Sequence, residues 1–300
     1  MYFSKPPLKF GHQLEQLISR GMQVGDKAKA ISHLSHISYY RLGTYWWSFI
    51  DDHKLHTFKK DTNFEQVVDL YVFDRELRLL MMDAIERIEI SLRTQWAFHL
   101  SHKHGTHAHL DSDVFSPKAF NHSVFLSKLK EELRRTNDKN IKRQCHKYDE
   151  FTPAIWICCE VMSFGWLSKA YDGIKRRSVK MDIAKAYQLN ESVLSSFLHH
   201  LTTIRNICAH HSRLWNREST FKTKLPRQGS KNLIDSINID SPNQLYNTLV
   251  MTAHLLEIIS PDSHWKQKLY ELIQNHQSID LTIMGFPQQW WQLPVWRDLK

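Results

Sequence analysis

The run Arg205-Asn206-Ile207-Cys208-Ala209-His210-His211-Ser212-Arg213-Leu214-Trp215-Asn216-Arg217 gathers guanidinium, amide and imidazole groups at the end of a helix-like stretch. These are groups that handle a phosphodiester. An arginine grips phosphate oxygens through its planar fork, and a histidine titrates near neutral pH and moves a proton at the adjacent oxygen. RNA gains most from such a pair, because its own 2′-hydroxyl attacks the neighbouring phosphorus without a metal being supplied. On an ideal helix Asn206 and His210 share a face, whereas Arg205 and His210 stand about 140° apart. For those two to meet at one phosphate, the helix must begin to unwind or a second chain must contribute. The same groups can instead satisfy buried polar atoms at a helix terminus, and the short run alone leaves both readings open.

The elements that must position this run are helical. With 42% hydrophobic residues in 300, the chain can bury a sizeable core, and nine glycines with nine prolines favour long helices over a meander of strands. The expected fold class is all-α. A formal charge of +9 suits a polyanionic partner, although solubility alone also accounts for it. Cys145, Cys158, Cys159 and Cys208 form no Cys-x-x-Cys pair or regular framework, which argues against a disulfide scaffold or a cysteine zinc site. No basic-then-apolar leader opens the sequence, and no apolar run approaches the roughly 18 residues of a membrane span. The expectation is a soluble, cytoplasmic protein with no membrane partner and no cofactor.

Along the chain, 10–20 and 26–37 read as short helices, with Asp26 placed to cap the second. The aromatic stretch 39–50 is expected to pack on the body, with base stacking by Tyr39-Tyr40-Arg41 as the alternative, and 51–61 reads as a loop or short hairpin. The strongest periodicity runs from Phe64 to about His99, a spine on the order of 50 Å long. Its acid-first pairs Asp74/Arg78, Asp83/Arg87 and Glu89/Arg93 read as a solvated face. The histidine-rich stretch to about His122 reads as an insertion or loop, followed by an amphipathic pattern over 123–135 and a basic stretch over 139–147. Pro153 is expected in the first turn of a helix running toward Gly165, which Trp166 to Ile174 continues or follows after a kink. A shorter helix ends near Leu189, and Asn190 is placed to cap the helix that runs into the motif. The polar stretch 219–232 reads as a mobile connection, followed by helices over 242–259 and 263–275 and an aromatic tail that packs on the body. Three regions follow: a helical segment at 1–60, a core at 61–217 and an extension at 218–300.

Arg205 and His210 fit the Arg-x4-His signature of HEPN ribonucleases, with Asn206 in the polar position after the arginine. More of the chain joins this pattern: Ser38-Tyr39-Tyr40-Arg41-Leu42, the segments 70–78 and 85–93, Pro153-Ala154-Ile155-Trp156, Met162-Ser163-Phe164-Gly165 and Met284-Gly285-Phe286-Pro287. With these, the sequence resembles the abortive-infection (Abi) family of the AbiD/AbiF type over nearly its whole length. The resemblance implies a HEPN-like helical bundle with a long spine helix, and a homodimer in which two motifs line one composite cleft. It implies metal-independent RNA cleavage with Arg205, His210 and Asn206 catalytic. His211, Arg213 and Arg217 become candidates for substrate contact, and Glu86, Glu89 and Arg93 candidates for orienting the catalytic pair from a neighbouring helix. Leu214 and Trp215 are expected to anchor the motif in the core.

Two other classes of function stay open on the residues. A metal site would draw on the histidines between 99 and 109 or on His199, His200, His210 and His211, but neither spacing matches a familiar tetrahedral set. A non-catalytic HEPN module would hold a regulatory RNA, an antitoxin or another protein partner through the basic stretches 139–147, 175–180 and 213–227.

Overall fold

Helical periodicity in the sequence becomes helix in the structure, a computed structural model that describes residues 6–148, 152–218 and 223–297. Among the described residues helices dominate, and the one sheet is a two-stranded hairpin. The all-α reading holds. The chain divides into two compact units, one of residues 1–78 with 270–280 and one of residues 79–269 with 281–300.

In the first unit, α1 (Phe10–Ser19) and α2 (Lys27–Ile37) come first, and Asp26 caps α2 by accepting the Lys29 N–H at 3.0 Å. Then follow α3 (Tyr39–Trp46), the antiparallel pair β1 (Ile50–Asp52) and β2 (Thr57–Phe58), and the start of α4 (Phe64–His104). The aromatic stretch is split in its use: Tyr45 and Trp46 are buried, while Tyr40 and Trp47 face solvent. Asp74 and Arg78 of α4 do not form the solvated pair expected of them. Both are buried, Arg78 bonds the Asp74 carboxylate, and Tyr45 donates its hydroxyl to the same carboxylate at 2.7 Å. Burial is tolerated because the aspartate gains a cation and a phenol together. Burial and the neighbouring Asp74 charge hold the Tyr45 hydroxyl well above the usual phenol range.

The second unit carries the rest of α4, which continues past the expected end at His99 and stops at His104. Histidine does not break a helix, whereas Gly105 adopts φ +90° and ends it. The residues beyond are packed: Ala108, His109, Val114, Phe115 and Phe120 are buried around two short 3-10 turns. Next come α5 (His122–Arg135) and α6 (Lys139–Lys147). The expected helix from Pro153 is instead α7 (Ile155–Cys158), a 3-10 turn over Cys159–Val161, and a fresh start at α8 (Phe164–Asp172). Pro153 lies before the N-cap Ala154, outside the first turn.

Two helices then lead into the motif. α9 (Arg177–Lys185) leads to α10 (Glu191–Ala209), whose N-cap Asn190 accepts the Ser192 N–H at 2.9 Å. Close approach of α8 to α10 depends on Gly165, where an added Cβ would lie 3.2 Å from Thr202 Cγ2. The expected connection at 219–232 falls partly on 219–222, outside the described residues, and ends in the short α11 (Lys231–Ile234). Every residue of α12 (Leu245–Ile259) from Leu245 to Leu256 is buried, so it is a central helix and not an amphipathic surface one. α13 (Trp265–Asn275) begins at Trp265, whose indole N–H donates to the Leu80 carbonyl at 2.8 Å. Trp290 and Trp296 of the tail are buried as expected, whereas Trp291 is exposed and departs from that expectation.

Candidate active site

The buried face of α10 is set by Leu194, Phe197, Leu198, Leu201, Ile204 and Cys208. Opposite it, Ser195, His199, Thr202, Asn206 and His210 recur at spacings of three and four, which places them along one face. The helix ends at Ala209 with His210 as its C-cap, at φ −91° and ψ 11°. His211 follows at φ +55°. Its N–H reaches the Cys208 carbonyl at 3.1 Å, and the Ser212 N–H reaches the Ile207 carbonyl at 2.9 Å. This double closure is a Schellman ending, and it usually has glycine where His211 stands. Unwinding therefore begins at His210, one residue past the end of the helix.

A non-glycine residue in the left-handed region costs on the order of 1 kcal/mol. His211→Gly is expected to raise unfolding stability by up to about 1 kcal/mol in urea titration. A loss of stability instead would show that the contacts of the imidazole outweigh that strain.

Arg205 opens into a cleft of about 500 Å³ that Glu89, Arg93, Lys128, Arg135 and Trp166 also line. Its guanidinium donates to Asn206 Oδ1 at 3.5 Å. Arg93 is held on three sides: by Glu89 at 2.5 Å, by the Met162 carbonyl at 2.9 Å and by Glu160 at 3.5 Å. Glu89 and Arg93 are largely buried, so this pair also departs from the solvated face expected of it. Burial pushes the Glu89 carboxyl up, against the opposing pull of Arg93 and Arg205. Glu86 is exposed and acts on Glu89 through like charge. The break between α7 and α8 now has a reason: at ψ 133°, Met162 leaves helical geometry and its carbonyl accepts from Arg93.

The structure thus brings Arg205, Glu89 and Arg93 together. His210 is exposed and is not among the residues lining the Arg205 cleft. Arg213 lies over the Trp215 ring at 5.8 Å, and Leu214 and Trp215 are buried as anchors. Arg217 lines a separate small cavity with Ile204, Ile207 and Leu214. Sequence reasoning missed Lys128, Arg135, Glu160 and Trp166, which reach the cleft from α5, the 3-10 turn and α8 and carry no spacing signal toward Arg205.

The histidine-rich stretches have other uses. Among the described residues no group of three or more His, Cys, Asp or Glu side chains is arranged to hold a metal ion. His109 is buried against Thr152 at 3.3 Å and Cys158 at 3.4 Å, and His200 is buried against Thr248 at 2.8 Å. Burial pushes both imidazoles down to about 4. In the unfolded chain they titrate near 6.5, so between roughly pH 6.5 and 4 the unfolded state binds more protons. The stability they protect is complete above that window and is lost as pH falls through it. Urea titrations at stepped pH should show uptake of about two protons on unfolding near pH 5; a flat profile from pH 6.5 to 4 would contradict this.

Among the described residues, no helix is long and apolar enough to cross a membrane. The sequence profile of one protein family, described as Abi-like protein, matches residues 32–216. Comparison with curated proteins and with solved structures gives no match.

Proposed function

Because the chain belongs to the Abi-like protein family, we propose that it is a cytoplasmic phage-defence protein of the abortive-infection type, acting as a HEPN-type endoribonuclease. The observation that carries this reading is the division of one helix end between two environments. Arg205 enters a cleft beside Glu89 and Arg93, and His210 stands exposed where the same helix unwinds. Arg205 stabilises charge that builds on phosphorus during attack by the ribose 2′-hydroxyl. His210 takes the proton from that hydroxyl, or gives one to the departing 5′-oxygen, with its twin in a homodimer or a water doing the converse. Asn206 keeps the Arg205 guanidinium and the phosphate oxygens in register, and Glu89 with Arg93 fixes the direction of approach of Arg205. His211, Arg213 and Arg217 contact the substrate beyond the cut bond.

The products carry 2′,3′-cyclic phosphate or its hydrolysed form, and no metal enters the step. The test is cleavage of total RNA by the purified protein in EDTA, with mapped termini, beside His210→Ala. Cyclic-phosphate ends produced only by the wild-type protein support the proposal. Phage protection undiminished in both Arg205→Ala and His210→Ala would replace it with a non-catalytic module that holds a regulatory RNA or an antitoxin.

A further inference from the structure

The other end of α10 carries a second cavity, of about 780 Å³, bordered by Lys169, Lys175, Arg177, Lys180 and Lys224. Two acids, Asp172 and Glu191, share its wall, and both are already engaged. Arg177 bonds Glu191 at 2.6 Å, while Asp172 accepts from Ser195 at 2.5 Å and lies 3.4 Å from the Lys180 ammonium. Lys169, Lys175 and Lys224 are left without a carboxylate partner among the described residues, and all are exposed. Ser192 and His199 add a hydroxyl and an imidazole to the same wall. Uncompensated ammonium groups around a polar hollow attract phosphate oxygens, which also accept hydrogen bonds from hydroxyls.

This cavity is tied to the Arg205 cleft. Lys169 lies over the Trp166 ring at 5.5 Å, and Trp166 lines that cleft, with Lys128 over the same ring at 4.6 Å. A polar face of α10 runs between the two places, from Ser195 through His199, Thr202 and Asn206 to His210. At 1.5 Å per residue, His199 and His210 are about 16 Å apart along the axis. That span takes a single strand a few nucleotides from the bond at the motif.

We propose that the Lys169, Lys175 and Lys224 cavity is an outlying phosphate subsite for single-stranded RNA, engaging backbone phosphates of the strand that Arg205 and His210 act on. The assignment of RNA rests on the ribonuclease reading; the assignment of a phosphate site rests on the cavity itself. Substrates long enough to reach the lysines then bind more tightly than short ones.

The test is binding of a labelled single-stranded RNA by anisotropy across a salt series in EDTA, with His210→Ala in every protein so that substrate is not consumed. Adding Lys175→Ala and Lys224→Ala removes two exposed side chains and leaves the packing untouched. The slope of log affinity against log salt should fall by about 1.4, or about 0.7 per lost contact, with affinity down on the order of tenfold at low salt. Lys27→Ala with Lys60→Ala removes the same charge from the other unit and should leave the slope unchanged. An unaltered slope in the Lys175/Lys224 protein, or an equal fall in the Lys27/Lys60 control, overturns the subsite. Inorganic phosphate binding that is lost in the Lys175/Lys224 protein, with RNA affinity and its slope unaltered, would assign the cavity to a small anion and overturn its role in RNA binding. If the wild-type protein cuts no RNA, the ribonuclease reading falls, and the slope comparison still decides the subsite.

Discussion

Single-turnover cleavage of an RNA oligonucleotide should fall by about three orders of magnitude in His210→Ala and by a similar factor in Arg205→Ala. The two losses have different origins. His210 is the C-cap of α10 and is exposed, so its truncation removes the proposed proton carrier without opening a cavity. Arg205 lies in the Glu89 and Arg93 cleft, and its planar fork is suited to two phosphate oxygens at once. Arg205→Lys keeps the charge and loses the fork, so it should recover little of the rate. His210→Asn, which keeps a polar group but cannot titrate, should recover none. Retained RNA binding and an unchanged unfolding midpoint in both alanine variants would place the loss in the chemical step. Cleavage within about threefold of wild type in either variant would remove that residue from the catalytic pair.

The largest effect on stability is expected at Asp74. Its carboxylate is fully buried and takes both the Arg78 guanidinium and the Tyr45 hydroxyl. Asp74→Ala leaves a buried cation without its counter-charge, and breaking such a pair from one side costs about 3–5 kcal/mol. Against a typical total of about 5–15 kcal/mol, that is a large share of what holds a domain folded. Replacing the set together, as Asp74→Leu, Arg78→Met and Tyr45→Phe, should recover most of the loss, because the buried cation and the phenol leave together with the carboxylate they bond. Urea titration followed by tryptophan fluorescence measures both. A loss below about 1 kcal/mol in Asp74→Ala would show that water reaches Arg78 and that the pair is not sealed.

What the sequence made legible follows from what local chemistry encodes. Asp26 and Asn190 were readable as caps because a short side chain before an apolar periodicity has one good use. The spine from Phe64 is readable from its period and Gly105 as an interruption, but the polar, histidine-rich composition after His99 hides that the helix runs on to His104. The pairs Asp74/Arg78 and Glu89/Arg93 carry the same spacing as exposed pairs. Their burial is decided by Tyr45 and by the Met162 carbonyl, which no window along α4 contains. A kink before Trp166 is legible after Pro153, but not where the break falls: α7 stops at Cys158, and Met162, outside helical geometry, turns its carbonyl to Arg93. At the site, the motif residues were visible as types, and the family resemblance pointed to 85–93 as their neighbour. Lys128, Arg135, Glu160 and Trp166 were invisible because they share only the cleft, and no spacing.

In the proposed reaction RNA cuts itself, with the ribose 2′-hydroxyl as nucleophile while Arg205 and His210 assist. A single 2′-deoxynucleotide at the mapped cut position of an otherwise all-RNA oligonucleotide, in EDTA, removes that nucleophile and nothing else. Cutting at that bond should disappear while binding is unchanged. Cutting at the deoxy position at the unmodified rate would mean that another nucleophile attacks, and would contradict the proposed reaction.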